Sequence, residues 1–269
     1  MQKIHLLIID PQNDFCSPDG SLYVHGAEQD MQRLADFIDT YRSKLSGITV
    51  TFDSHKSFHI ASPAFWIDSK TGTHPEVFTI IKKQDVLSGR YYAAVPSYQK
   101  LAEYYVWELE NNGRYELCIW PPHCLIGSSG SNIYKPLFDA IERFNAEIYS
   151  ATEYIYKSAN SFTEQYSVLR ADVSMGEKDN ICTSSRIAHT VTTNDIILVA
   201  GEALSHCVAN SLLDIAKYVS KDLCKFVLLE DAVSSVSGFE YLSEIFLDRA
   251  SDLGMRVMKT TDMRVFFDE

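Results

Sequence analysis

Nowhere in its 269 residues does the chain string together the ~20 apolar residues that a bilayer-crossing helix needs, so no membrane partner is expected. Basic residues are outnumbered, 24 Lys and Arg against 36 Asp and Glu, for a formal net charge of −12. Nucleic-acid binding draws on a basic patch and is not expected either. The six cysteines, at positions 16, 118, 124, 182, 207 and 224, contain no C-x-x-C pair and no regular framework. Reduced thiols in a cytoplasmic protein are the default for such spacing. Internal repeats, low-complexity tracts and flexible linkers are missing. The GSSG turn at Gly127–Gly130 has no P-loop lysine and predicts a backbone turn. The start MQKIHLLIID is basic, but its apolar stretch stops at Asp10 without a cleavage-like site, which predicts a strand and not a signal peptide.

What is present is enough apolar sequence, 46%, for one large core. Lys3 to Asp10 is an apolar run ending in a carboxylate, as in a buried parallel strand. From Ala27 to Leu45 the apolar positions follow helical spacing, and Gly47 is expected to end that helix before a strand over Ile48–Asp53. Later periodicities predict a helix at Tyr134–Phe144, a strand at Ala146–Tyr149 and a helix near Cys182–Val191. A strand at Asp195–Gly201 then leads into a helix from Ser205 to Val219. Lys225–Glu230 is a further strand, Glu240–Leu253 a helix and Met255–Lys259 a last strand. Alternation of this kind predicts an α/β fold, doubly wound on a mostly parallel six-stranded sheet, in a single domain over 1–269. The stretch 60–116 breaks the rhythm. It is rich in aromatics (Phe65, Trp66, Tyr91, Tyr98, Trp107) and holds one strand-like piece, Val77–Lys82, so we expect an insertion over one sheet edge. Aromatics in that number suggest a lid or an oligomer contact.

In open α/β sheets ligands gather beyond the carboxyl ends of the strands. Asp10 and Asp53 end strands one and two, Lys157 follows the Ala146–Tyr149 strand by a short loop, and Cys207 follows the Asp195–Gly201 strand. Four chemically capable side chains are thus expected on one rim. Cys207, in GEALSHCVANSLLDIA, sits where a strand hands over to a helix. The unpaired N–H groups there favour a thiolate and can receive an oxyanion. A buried structural cysteine is the bland alternative. Asp10, in IIDPQNDF, could equally be a turn residue, and Asp14 in the same turn is a rival for any catalytic role. Lys157 could be one more solvated lysine. In FDSHKSFHI, Asp53, His55 and His59 form a D-x-H-x-x-x-H set suited to zinc, iron or manganese, and His123 in WPPH could add an imidazole. His74 is assigned nothing, and Cys118 is expected in a strand core.

Together these stretches (IIDPQNDFCSPDGSL, FDSHKSFH, WPPHCLIGSSG, GEALSHCVANSLLDIA and the weaker YKSANSFTEQYS) resemble the isochorismatase-like cysteine hydrolases, and within them the nicotinamidase/pyrazinamidase branch. The resemblance implies a Rossmann-like three-layer fold and a triad of Asp10, Lys157 and Cys207. It implies one divalent metal ion, zinc foremost with iron or manganese as alternatives, held by Asp53, His55 and His123, with His59 as a fourth ligand or an outer group. It further implies Phe15 and Trp120 as walls for a pyridine ring. A cis peptide at Glu202–Ala203 would shape an oxyanion hole from the backbone N–H groups of Ala203 and Cys207. This sequence departs from the pattern at Glu202, where apolar residues are usual and which would set a carboxylate near the nucleophile, and in its long insertion. The expected activity is hydrolysis of a small amide, nicotinamide first, through a thioester on Cys207, in a homo-oligomer. Three readings stand beside it: a carbamoyl or ureido amidase, which would lack the metal set; a metal hydrolase in which Cys207 is structural; and a silent binding protein.

Overall fold

The computed structural model describes residues 2–149, 152–175 and 181–267. Six strands form its central sheet: β1 (Ile4–Ile9), β2 (Leu45–Asp53), β3 (Glu153–Lys157), β4 (Ile196–Gly201), β5 (Phe226–Leu229) and β6 (Arg256–Met258). Their order across the sheet is β6-β5-β4-β1-β2-β3, and every neighbouring pair is parallel. Winding runs outward in both directions from β1, so the order reverses between β1 and β4. Such a switch point opens a crevice at the strands' carboxyl ends.

The helices cover both faces. Ile4, Leu6 and Ile8 share a core with α1 (Ala27–Tyr41) and with α3 (Lys135–Ile148), whereas Leu7 and Ile9 join the opposite core. That second core is built on α4 (Ile181–Thr193), α5 (Ala209–Ile215, flanked by π-helical turns Leu204–Val208 and Ala216–Ser220) and α6 (Glu240–Asp252). Alternating side chains on a strand buried on both faces make this division unavoidable. The fold is therefore the three-layer α/β arrangement expected. Between β2 and α3, α2 (Gln99–Asn111) and two small antiparallel pairs, Trp66–Asp68 with Tyr91–Ala93 and Ile80–Ile81 with Leu117–Cys118, make up the insertion. Its Phe65, Trp66 and Tyr105 are buried in the same core as Leu6 and Met31.

Two boundaries differ from expectation. Helix α1 stops at Tyr41 and β2 begins at Leu45, so Gly47 lies inside the strand, where a Cβ would approach the His5 ring to 3.1 Å. Leu45 fits the helical spacing, but its burial comes from pairing with Ile4 in the sheet. The strand expected at Ala146–Tyr149 does not form. Helix α3 runs on to Ile148 and closes on Tyr149 in the left-handed region, and the strand is Glu153–Lys157, with Lys157 as its last residue. As an edge strand it is only half covered, and Tyr156 is 63% exposed, so it lacks the apolar run that marks the inner strands. Among the described residues no helix is long and apolar enough to cross a membrane.

Candidate active site

The ends of four neighbouring strands place the site. Asp53 and Lys157 are register partners across β2 and β3, and Asp10 directly follows β1. Beyond β4 the chain must turn sharply. Gly201 adopts φ 111°, and a Cβ there would lie 2.0 Å from the Ile9 carbonyl oxygen, so only glycine lets β4 lie this close to β1 as it leaves the sheet. The Glu202–Ala203 peptide is cis, and the π-helical turn after it carries Cys207. Among the described residues the Ala203 N–H has no acceptor.

These elements bring Asp10, Lys157 and Cys207 together, all three buried. The Lys157 ammonium lies 2.9 Å from Asp10 Oδ2, 3.2 Å from Asp53 Oδ1 and 3.5 Å from Cys207 Sγ, and it also donates to the Gln165 carbonyl at 2.9 Å. Thr51 fixes Asp10 twice: its hydroxyl donates to Asp10 Oδ1 at 2.5 Å and accepts the Asp10 N–H at 3.0 Å. Burial would depress Lys157, but the carboxylates of Asp10 and Asp53 hold it well above its ordinary value. Burial pushes Asp10 up, and Lys157 counters. Burial also pushes the Cys207 thiol well above its ordinary value; Lys157 opposes this, while Asp10 and Asp53 reinforce it. The resting sulfur is thus a thiol beside a carboxylate and not the free thiolate that a helix N-terminus alone would suggest.

The rival carboxylate is occupied elsewhere. Asp14 Oδ2 accepts the Cys124 N–H at 2.6 Å and Oδ1 accepts the Ser21 N–H at 3.1 Å, so Asp14 ties down its own loop. Glu202 turns away from the nucleophile. Its Oε2 accepts the Ser234 N–H at 3.2 Å beside Asp30, and burial and the Asp30 charge push it well above the carboxylate range. Its carboxyl is accommodated as a neutral group on the far side of the turn.

Beside the triad, Asp53, His55 and His123 offer ligand atoms within 4.8 Å of one another. His55 is joined to the WPPH stretch by a ladder in which its N–H donates to the Cys124 carbonyl and its carbonyl accepts from Ile126. That pairing carries His123 across a long sequence separation. His123 Nδ1 donates to the Pro121 carbonyl at 2.8 Å, which leaves Nε2 facing Asp53 Oδ2 at 3.3 Å. A ring nitrogen this close to a buried carboxylate requires a positive centre between them, a proton or a metal ion. His55 Nδ1 is buried with no hydrogen-bond partner, 3.5 Å from the same oxygen. The residues fit a divalent cation on this ground. The surroundings are acidic: burial would lower His55, but Asp53 and Glu164 raise it to about 9, and Glu164, despite its own burial, is held at about 2 by His55, so positive charge is favoured here whether a proton or a metal ion carries it.

His59 is less free. Its Nδ1 accepts the Ala61 N–H and its Nε2 donates to the Thr163 carbonyl at 3.1 Å, so backbone engages both nitrogens. Glu164, whose Oε1 lies 3.2 Å from His55 Nε2, was not singled out from sequence, although it lies within YKSANSFTEQYS. Gln12 was missed as well; its amide clasps the Asp53 backbone from both sides at 2.7 and 2.8 Å. Phe15 lies 5.3 Å from the His123 ring. Trp120 is held by a 2.9 Å hydrogen bond to the Tyr166 hydroxyl and packs on His206. Free space beside the ligand set, about 10 Å³, is no more than a single water would fill.

No family model matches the chain. It is 24% identical over 212 residues to the nicotinamidase of Saccharomyces cerevisiae, an overlap of 79% of this chain and 81% of that protein. The solved yeast nicotinamidase superposes with a TM-score of 0.65 at 20% identity, covering 95% of this chain and 99% of that one. A nicotinamidase/pyrazinamidase of Acinetobacter baumanii gives 0.64 at 19%, covering 98% and 99%. The pyrazinamidase of Pyrococcus horikoshii, solved in complex with zinc, gives 0.53 at 18%, covering 96% and 99%. The chain thus has the isochorismatase-like fold. In sequence it resembles a nicotinamidase, and in structure nicotinamidases and pyrazinamidases.

Proposed function

We propose that this chain is an amidohydrolase of the nicotinamidase kind, converting nicotinamide and water to nicotinate and ammonia through a thioester on Cys207. The observation that carries the reading is the Lys157 ammonium shared among Asp10, Asp53 and Cys207 at 2.9, 3.2 and 3.5 Å. A structural cysteine has no use for a buried base and a buried cation at hydrogen-bonding range. A silent binding protein has no use for any of the three.

Asp10 takes the thiol proton as Sγ attacks the amide carbon, a general-base step worth ~10²–10⁴-fold. The carbonyl oxygen gains charge and is received by the Ala203 and Cys207 N–H groups. Lys157 keeps its proton and offsets the negative charge of Asp10 and of the sulfur. As the intermediate collapses, Asp10 returns the proton to the departing nitrogen, so ammonia leaves and the acyl group stays on sulfur. Water then enters, Asp10 accepts one of its protons, hydroxide adds to the thioester, and the acid leaves as sulfur recovers its proton. Phe15 and Trp120 flank the ring. Asp53, His55 and His123 would hold one divalent ion, zinc foremost, which when bound offers a Lewis-acid position for the pyridine nitrogen. We read the chain as one domain with an insertion, cytoplasmic and self-associating.

Ammonia release from nicotinamide, pyrazinamide and a ureido compound, before and after chelation, tests the reading. Nicotinamide turnover that falls on chelation and returns with added metal is the expected result. Turnover of the ureido compound alone, indifferent to chelation, would move the carbamoyl reading to first place.

A further inference from the structure

On the outer side of the nucleophile-bearing segment lies a second cavity, far larger than the space beside the cation-ligand set. Its volume is about 790 Å³, within the range of small-molecule sites. Residues 112–115, the segment from Asn210 to Lys221 and helix α6 line it.

Its charge runs against that of the chain. In a protein of net charge −12, the groove gathers Arg114, Arg170, Lys217, Lys221 and Arg249 against two carboxylates, Asp214 and Asp252. Arg114 is used internally, donating to Asp214 at 2.8 Å and lying 3.5 Å from Asp172. The other four have no carboxylate within 4 Å among the described residues. Two of them converge on one ring. The Arg170 guanidinium hydrogen-bonds the Tyr218 hydroxyl and sits 5.4 Å from the ring centroid, and the Lys217 ammonium lies 5.0 Å from it. Partial burial pushes the Tyr218 phenol up, yet the Lys217 hydrogen bond and the Arg170 charge leave it below its ordinary value. Like charges facing one concave surface repel, and an anion between them relieves that cost.

We propose that this groove binds a small phosphate-bearing molecule, with Arg170, Lys217, Lys221 and Arg249 around the phosphate and Leu242 and Ile245 against its organic part. Several unpaired cations, two of them guanidinium forks, suit a multiply charged phosphate better than a single carboxylate. The volume leaves room for a nucleoside attached to it. None of these residues belongs to the triad or to the cation-ligand set, so the inference stands apart from the reaction proposed above.

Calorimetric titration of the full chain at low ionic strength tests it, with adenosine 5′-monophosphate, inorganic pyrophosphate and uncharged adenosine as probes and a Lys217→Gln/Arg249→Gln variant as control. Both phosphates are expected to bind and adenosine alone not to. The double variant is expected to weaken phosphate binding about tenfold or more, the loss of two charge-assisted contacts, while its ammonia release matches the unaltered chain. Absence of heat with both phosphates overturns the proposal, as does equal binding by the double variant. So does sedimentation in which the double variant loses an oligomer that the unaltered chain forms without binding phosphate, since that assigns the groove to a second copy.

Discussion

Asp10 and Asp14 lie four residues apart in one turn and carry the same functional group, yet their surroundings give them different work. Asp10 is buried against Lys157 and Thr51, whereas Asp14 spends both oxygens on backbone N–H groups of its own loop and of Cys124. Asp10→Asn is therefore expected to lower kcat by ~10²–10⁴, because an amide cannot accept the thiol proton. Asp14→Asn is expected to keep most turnover and to lose ~1–3 kcal/mol of stability, since an amide nitrogen cannot accept the N–H that one carboxylate oxygen accepted. Steady-state kinetics with a denaturant titration of each variant checks both. The reverse pattern, Asp14→Asn inactive and Asp10→Asn active, would reassign the base.

Among the elements, the insertion touches Trp120, the proposed substrate wall, through Phe78, whose ring meets it edge to face at a centroid distance of 5.9 Å while 47% exposed. Trp120 also lines the small space beside the cation-ligand set, about 10 Å³, so the proposed ring position depends on how this wall is held. Phe78→Ala should change KM several-fold with kcat nearly constant, because the ring touches a wall and not the reacting atoms. A fall in kcat at constant KM would move Phe78 into the chemistry. The inner strands β1, β2, β4 and β5 were legible as apolar runs, and their terminal residues pointed to the rim. The edge strand β3 was not: half-buried Tyr154 and exposed Tyr156 alternate with buried Ile155 and Lys157, so no apolar run marks it, and the α3 periodicity runs through the residues where a strand was expected. Lys157 was found through a motif, but its placement at the end of a strand, opposite Asp53, could come only from the sheet register. Glu164 and Gln12 were opaque for a related reason. Each acts through a partner distant in sequence, and neither falls in a spacing that marks a ligand set.

At the scale of the whole molecule, buried neutral histidines couple stability to pH. His5, in β1 with its ring hydrogen-bonded to Thr49, is lowered by burial to about 4, against Glu153, and burial holds His206 at about 3. Both take up a proton in the unfolded chain near the ordinary value of 6.5 but not in the fold. Between about 4 and 6.5 the unfolded state binds more protons, so their contribution to stability is retained above 6.5 and falls as pH drops towards 4. His5→Gln should flatten that slope by roughly 3 kcal/mol at most between pH 7 and 4. Denaturant midpoints for the two proteins across this range provide the check. An unchanged slope would mean that His5 is solvated in the fold.

The central claim is that Cys207 carries the acyl group, and it can be read directly from the protein's mass. Enzyme mixed with nicotinamide, quenched in acid within its first turnovers and digested should yield a Cys207-bearing peptide heavier by one nicotinoyl group. The adduct should be sensitive to hydroxylamine, as a thioester is, and absent from Cys207→Ala. Nicotinate production by folded Cys207→Ala at a rate near that of the unaltered chain, with no adduct on either protein, would contradict the account.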